Sequence, residues 1–162
     1  TCLAYWVAAA RELFEEAGIH FFLPAGATAA DSLSEDTSRR LAAKRPALQC
    51  GDIELAQLLY SERLCCDLAR LSYFFHRVTP EHYAVRFDTR FFLAALPDNQ
   101  IPLDAAEEVS ESLWITPAKA LERAEAGNFR MMPPTLAVLR NLNVHRSWDD
   151  LCNAFSLRWF AH

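Results

Sequence analysis

Arg11-Glu12-Leu13-Phe14-Glu15-Glu16-Ala17-Gly18-Ile19 is the stretch on which the reading of this 162-residue chain turns. Glu12, Glu15 and Glu16 stand at i, i+3 and i+4, so on a helix all three project from one face, beside an apolar stripe through Ala9, Leu13 and Ala17. Like charges at this spacing destabilise an isolated helix by about 0.2–0.5 kcal/mol per pair. They also fall in the last turn, the end at which the helix dipole favours cations. Arg11 is the one basic residue within the run. A hard divalent cation, Mg2+ or Mn2+, resolves the conflict by taking carboxylate oxygens as ligands. A solvated acidic face is the plainer alternative, and the residues alone leave both open.

Working outward, Trp6, Ala9, Ala10, Leu13 and Ala17 recur at helical spacing, and Gly18 is placed to cap the helix. Ile19–Leu23 reads as a short strand closed by Pro24. About residues 25–70, the pattern is that of a helical insertion. Ser32 or Ser34 caps a helix that runs through Arg45 and stops at Pro46, and Asp52 caps another with Ile53, Ala56, Leu59 and Tyr60 on one face. Strands are expected over Leu71–Val78, Phe87–Leu96 and Val109–Ile115, the second buried on both faces because Phe91–Leu96 is continuously apolar. Thr116-Pro117 opens a helix ended by Gly127, Pro133-Pro134-Thr135 opens another through Leu142, and Ser147 with Asp150 resembles a capping box for the last. Helices bracketing a small mixed sheet make an α/β chain with an α–β–α sandwich, organised as one domain over 1–162, with C-terminal helices over 133–162.

Composition excludes several functions. With 4 glycines and neither GxGxxG nor GxxxxGK, a glycine-rich phosphate loop is excluded. A net charge of −5 has the wrong sign for a general binder of nucleic acid polymers. No apolar run approaches the ~20 residues that span a bilayer, and Thr1–Ala10 lacks the basic start of a signal peptide. Cys2, Cys50, Cys65, Cys66 and Cys152 form no CxxC pair and read as small buried hydrophobes of a cytoplasmic protein. The five histidines form no metal-binding spacing and read as satisfied or surface side chains, and no GxSxG supports a serine hydrolase.

Arg11–Ile19 matches the second half of the Nudix box, REUxEExGU with U aliphatic, at every fixed position. Downstream, Arg86–Pro97, Glu108-Val109-Ser110-Glu111 ahead of Trp114-Ile115-Thr116-Pro117, and Pro133-Pro134-Thr135 resemble one branch of that family. It is the branch of the peroxisomal coenzyme A diphosphatase and its bacterial relatives. The likeness runs from about Ala4 to Leu142 and is weakest across the insertion. The resemblance implies Mg2+- or Mn2+-dependent hydrolysis of a small-molecule diphosphate, a nucleoside diphosphate derivative such as coenzyme A or acyl-CoA, into two monophosphates. It implies that Glu12, Glu15 and Glu16 hold metal, that Glu12 and its neighbours help activate water, and that Arg11 orients them. Gly18 closes the helix, and Glu108 is a further acidic ligand, with Glu107 and Glu111 as rivals. Where the full box carries an earlier Glu, this chain has Leu3, and the box's first Gly falls before Thr1. The expectation is that a long insertion splits the box and that the first strands lie upstream.

Other groups carry two readings each. Arg86 and Arg90 flank Asp88 on one side of a strand and are either contacts to substrate phosphates or partners in a structural Arg–Asp pair. Tyr73, Phe74, Phe75 and Tyr83 stack on an adenine or fill the core. Arg39, Arg40, Lys44 and Arg45 meet phosphates or form a solvated face. Trp148, Leu151, Phe155, Trp159 and Phe160 form a homodimer interface or pack a final helix. A catalytically silent Nudix-like module that binds a nucleotide or a protein partner is the competing function.

Overall fold

The computed structural model describes residues 2–27, 33–103 and 113–155. They fall into two compact units, one holding residues 2–27, 33–70 and 95–103 and the other residues 71–94 and 113–155. The class is α/β, with helices and small antiparallel sheets in both units.

In the first unit, helix α1 (Leu3–Ala17) is followed by β1 (Phe22–Pro24), α2 (Glu35–Gln49), α3 (Leu55–Glu62) and β2 (Leu64–Cys66). The strand β1 pairs antiparallel with β2, Phe22 opposite Cys66 and Pro24 opposite Leu64. The stretch read as a helical insertion therefore also supplies a strand. It supplies most of the core as well, where Leu41, Leu48, Leu55, Leu58 and Leu64 pack with Phe14 and Phe22. Burying each such side chain is worth about 1.5–3 kcal/mol.

Two boundaries in this unit differ from expectation. Ser34 caps α2 through the backbone N–H of Thr37 at 3.2 Å, but the helix does not stop at Pro46. It continues to Gln49, because the proline forfeits one ladder bond near the helix end while Leu48 behind it is buried in the core. The cap of α3 is Glu54, in a capping box with Gln57, rather than Asp52. Its buried face is Leu55 and Leu58, and Tyr60 is 88% exposed. The cysteines depart from their expected burial too. All are free thiols, with Cys2, Cys50 and Cys65 exposed and Cys66 and Cys152 partly buried.

In the second unit, β3 (Ser72–Val78) and β4 (Asp88–Leu93) form an antiparallel hairpin. The register slips between Tyr73 and Phe75, leaving Phe74 as the extra residue of a bulge. The Phe74 ring meets Phe155 edge-on at 4.9 Å between centroids. Phe91–Leu96 is partly exposed throughout rather than buried on both faces. Tyr83 is exposed in the connection between the strands. Of the third expected strand, Val109–Ile115, only 113–115 are described, and they carry no strand.

Helices α4 (Pro117–Glu125), α5 (Pro133–Leu142) and α6 (Trp148–Phe155) complete this unit. Thr116 caps α4, and Ser147 Oγ accepts the N–H of Asp150 at 3.1 Å at the start of α6. In α6, Leu151 is buried and Phe155 packs on Phe74 and His145, so these members of the C-terminal stripe are packed within the unit. Trp159 and Phe160 lie outside the described residues. No helix among the described residues is long and apolar enough to cross a membrane.

Candidate active site

Ala10 and Phe14, four residues apart, bury one stripe of α1 to 0% and 1% exposure. At roughly 100° per residue, Glu12 and Glu16 then stand on the opposite side of the helix, with Glu15 at its flank. Burial of the phenyl ring, against Phe22 at 5.4 Å, thus decides which way the carboxylates face. The expected stripe through Leu13 is displaced by one position, and Leu13 is partly exposed.

Arg11 ties this face together. Its Nη2 donates to Glu12 Oε1, and its Nε lies 3.6 Å from Glu15 Oε1. Those two carboxylates hold the guanidinium still more firmly in its charged form, the Glu12 hydrogen bond being the main cause. Glu15 is the more enclosed of the pair, at 18% side-chain exposure against 51% for Glu12. Among the described residues, no three His, Cys, Asp or Glu side chains converge closely enough to form a ready cage for an ion. Carboxylates spaced along one helix face suit a cation that keeps water and takes phosphate oxygens in its shell, as Mg2+ does.

The C-terminal end of α1 is held by residues distant in sequence. Its last four carbonyls have no partner within the helix itself. Gly18, at φ +70°, donates its N–H to Phe14 O at 3.0 Å. Arg45 of α2 donates Nε to Phe14 O at 3.0 Å and to Glu15 O at 2.9 Å, and Nη2 to Glu16 O at 3.3 Å. Gln49 Nε2 donates to Glu15 O at 2.6 Å, and the Leu103 N–H to Ala17 O at 2.9 Å. All four carbonyls are therefore met. Gly18 answers two demands, since a Cβ there would lie 2.7 Å from Leu103 Cδ1 and the positive φ disfavours any other residue.

Arg45 corrects two expectations. It is 9% exposed, so it belongs to no solvated basic face. It is also the cation that the helix dipole calls for, contributed by another element. Its neighbours are occupied as well: Arg40 Nε and Lys44 Nζ donate to the Glu62 carboxylate at 2.8 and 2.6 Å. Those two partners, Lys44 foremost, hold the Glu62 carboxyl below its usual range. The role of Arg45 depends on a contact between two helices, and its one signal in the sequence is the acidic last turn of α1 with no basic residue of its own.

His20 is neither satisfied nor on the surface. Its ring stacks on Phe22 at 5.5 Å, its Nδ1 is buried without a partner, and desolvation lowers its pKa from 6.5 to about 4. Gln100 brackets its backbone, accepting the His20 N–H and donating to its carbonyl, both at 2.9 Å.

Arg86 and Arg90 lie in the second unit. Arg86 Nε donates to Thr79 O at 3.0 Å, and Arg90 Nη1 pairs with Asp88 at 2.9 Å, as the Arg–Asp reading expects. Asp88 also accepts from His76, and these partners, His76 first, keep its carboxyl below the ordinary range. Glu108 and its rivals Glu107 and Glu111 lie outside the described residues.

Residues 1–142 match the family model of the NUDT19 Nudix domain. The chain is 31% identical over 157 residues to putative nudix hydrolase 7 of Caenorhabditis elegans, covering 92% of this chain and 47% of that protein. It is 26% identical over 145 residues to the acyl-coenzyme A diphosphatase NUDT19 of Xenopus laevis, covering 84% and 38%. The chain thus spans half or less of the curated relatives it matches. The crystal structure of a Nudix hydrolase from Alicyclobacillus acidocaldarius superposes with a TM-score of 0.70 at 28% identity, over 95% of this chain and 67% of that one. With its half-box on α1 and a family model covering all but the C-terminal helix, the chain belongs to the Nudix hydrolase family.

Proposed function

We propose that the protein hydrolyses the diphosphate of coenzyme A or acyl-CoA, giving a phosphopantetheine product and adenosine 3′,5′-bisphosphate. The observation that carries this reading is the outward carboxylate face of α1, with one guanidinium serving Glu12 and Glu15. The substrate class follows the similarity to the acyl-coenzyme A diphosphatase of Xenopus laevis.

Glu12, Glu15 and Glu16 hold Mg2+ or Mn2+, and Glu108 is assigned to the same ligand set. The cation, when bound, offsets phosphate charge and makes water more acidic. Arg11 orients Glu12 and Glu15, and a Glu12 carboxylate oxygen takes a proton from the attacking water. That water forms the new P–O bond as the bridging P–O bond of the diphosphate breaks, and the other phosphate ester departs in line with the electron pair of that bond. Arg86 and Arg90 are assigned to substrate phosphates, whose geometry the planar fork of a guanidinium matches.

The test is product release from CoA, acyl-CoA, ADP-ribose, NADH and a nucleoside triphosphate, with Mg2+, with Mn2+ and with EDTA. Metal-dependent cleavage of CoA or acyl-CoA is the expected result; cleavage of another member alone removes the CoA assignment. The second reading, a silent module that binds a nucleotide or a protein partner, draws on Leu3, which stands where the box has its earlier Glu and is 66% exposed. Silence across the panel from folded full-length protein selects that reading.

A further inference from the structure

We propose that Arg45, assisted by Gln49, is a positioning residue for the glutamates of α1, so that the α2 insertion sets the metal affinity of a site to which it contributes no ligand. The inference rests on the metal-holding role given to Glu12, Glu15 and Glu16. Arg45 grips the backbone beneath the three carboxylates. Its Nε and Nη2 take the carbonyls of Phe14, Glu15 and Glu16, and Gln49 doubles the hold on Glu15. Two of those carbonyls belong to the ligating residues themselves. A last turn held by a planar fork has its rotation fixed, and with it the spacing of Glu15 and Glu16 relative to Glu12. The same guanidinium lays positive charge on the negative end of the helix dipole, the end where two carboxylates must be tolerated when no cation is bound.

Burial sharpens the point. Arg45 is 9% exposed, so its guanidinium has exchanged water for these carbonyls, and a side chain without the planar fork cannot reach all three at once. The strut has its own footing. One turn either side of Arg45 on α2, Leu41 and Leu48 are buried in the core with Phe14. Helix and strut are therefore packed as one piece.

The test measures binding of Mn2+ alone, by the loss of its free-ion paramagnetic resonance signal, to the full-length protein and to Arg45→Lys, Gln49→Ala and Glu16→Gln. Melting curves confirm which variants are folded at the assay temperature. Arg45→Lys keeps the charge and loses the fork, and it is expected to weaken Mn2+ binding about tenfold, the lower end of what residues behind a metal's ligands contribute. Gln49→Ala, at an exposed position, is expected to weaken it two- to threefold and to remain folded. A merely structural Arg45 lowers the melting temperature without moving the Mn2+ midpoint. Midpoints within experimental error of the parent in Gln49→Ala and in folded Arg45→Lys, with Glu16→Gln weakened, overturn the positioning role alone. An unchanged midpoint in Glu16→Gln as well overturns the metal-holding reading and this inference together. If Arg45→Lys does not fold, Gln49→Ala decides by itself.

Discussion

The outward face of α1 and the β3–β4 hairpin treat carboxylates in opposite ways. In the hairpin, the single carboxylate of Asp88 has two partners, the His76 ring across the sheet and the Arg90 guanidinium on its own strand. On α1, the single guanidinium of Arg11 serves both Glu12 and Glu15, and Glu16 adds a third carboxylate to the face. The hairpin balances its charge locally, as a structure selected for stability does. Within its own sequence α1 carries three carboxylates to one guanidinium, and Arg45 lays positive charge at its backbone end.

The largest effect expected from this contrast is on turnover. Glu16→Gln should lower metal-dependent hydrolysis by about a hundredfold or more, while easing repulsion on the helix and leaving the melt cooperative. Product-release rates at saturating Mg2+ check this, and parental activity would erase the distinction between the two regions.

Packing comes next. Phe14→Ala removes a ring that is 1% exposed and should cost about 3–5 kcal/mol in a denaturant titration. Phe91→Ala in the partly exposed hairpin should cost clearly less. Equal losses would mean that the core does not set the pose of the carboxylate face.

A pH titration of stability separates the units further. Because the His20 pKa falls from 6.5 to about 4 on folding, the unfolded chain binds a proton between those values that the folded chain does not. Stability from this group is complete above pH 6.5, declines as the pH drops toward about 4, and levels off below. The full span is worth up to about 3 kcal/mol. His20→Phe should remove that slope, measured as the denaturant midpoint from pH 7 to pH 4. The smallest effect belongs to Asp88→Asn, which loosens an exposed pair. It should shift the melting temperature only slightly at pH 7 and leave the Mn2+ midpoint where it was.

How far the sequence was legible follows the range of the interactions. The ends of α1, α4 and α5 were readable because Gly18, Thr116-Pro117 and Pro133 act on backbone groups within a turn of themselves. The carboxylate face was readable for the same reason, as its spacing is a property of one helix. The end of α2 was not, because a proline's local penalty was outweighed by burial of Leu48 and by the hold of Gln49 on α1. Nor was the place of His20, which depends on stacking with Phe22 and on an amide 80 residues away. The bulge at Phe74 escaped notice because alternation in an aromatic run looks the same in either register.

The donors that complete the end of α1 also impose an order of assembly. During synthesis the helix emerges before the groups that close its end, with its last carbonyls open to water. Arg45 and Gln49 follow about 30 residues behind the groups they bind. Leu103, which meets Ala17, and Gln100, which brackets His20, arrive last. A nascent chain released before residue 103 would carry the whole half-box and still lack the bolt at its end, so the carboxylate face matures well after its own sequence has been made.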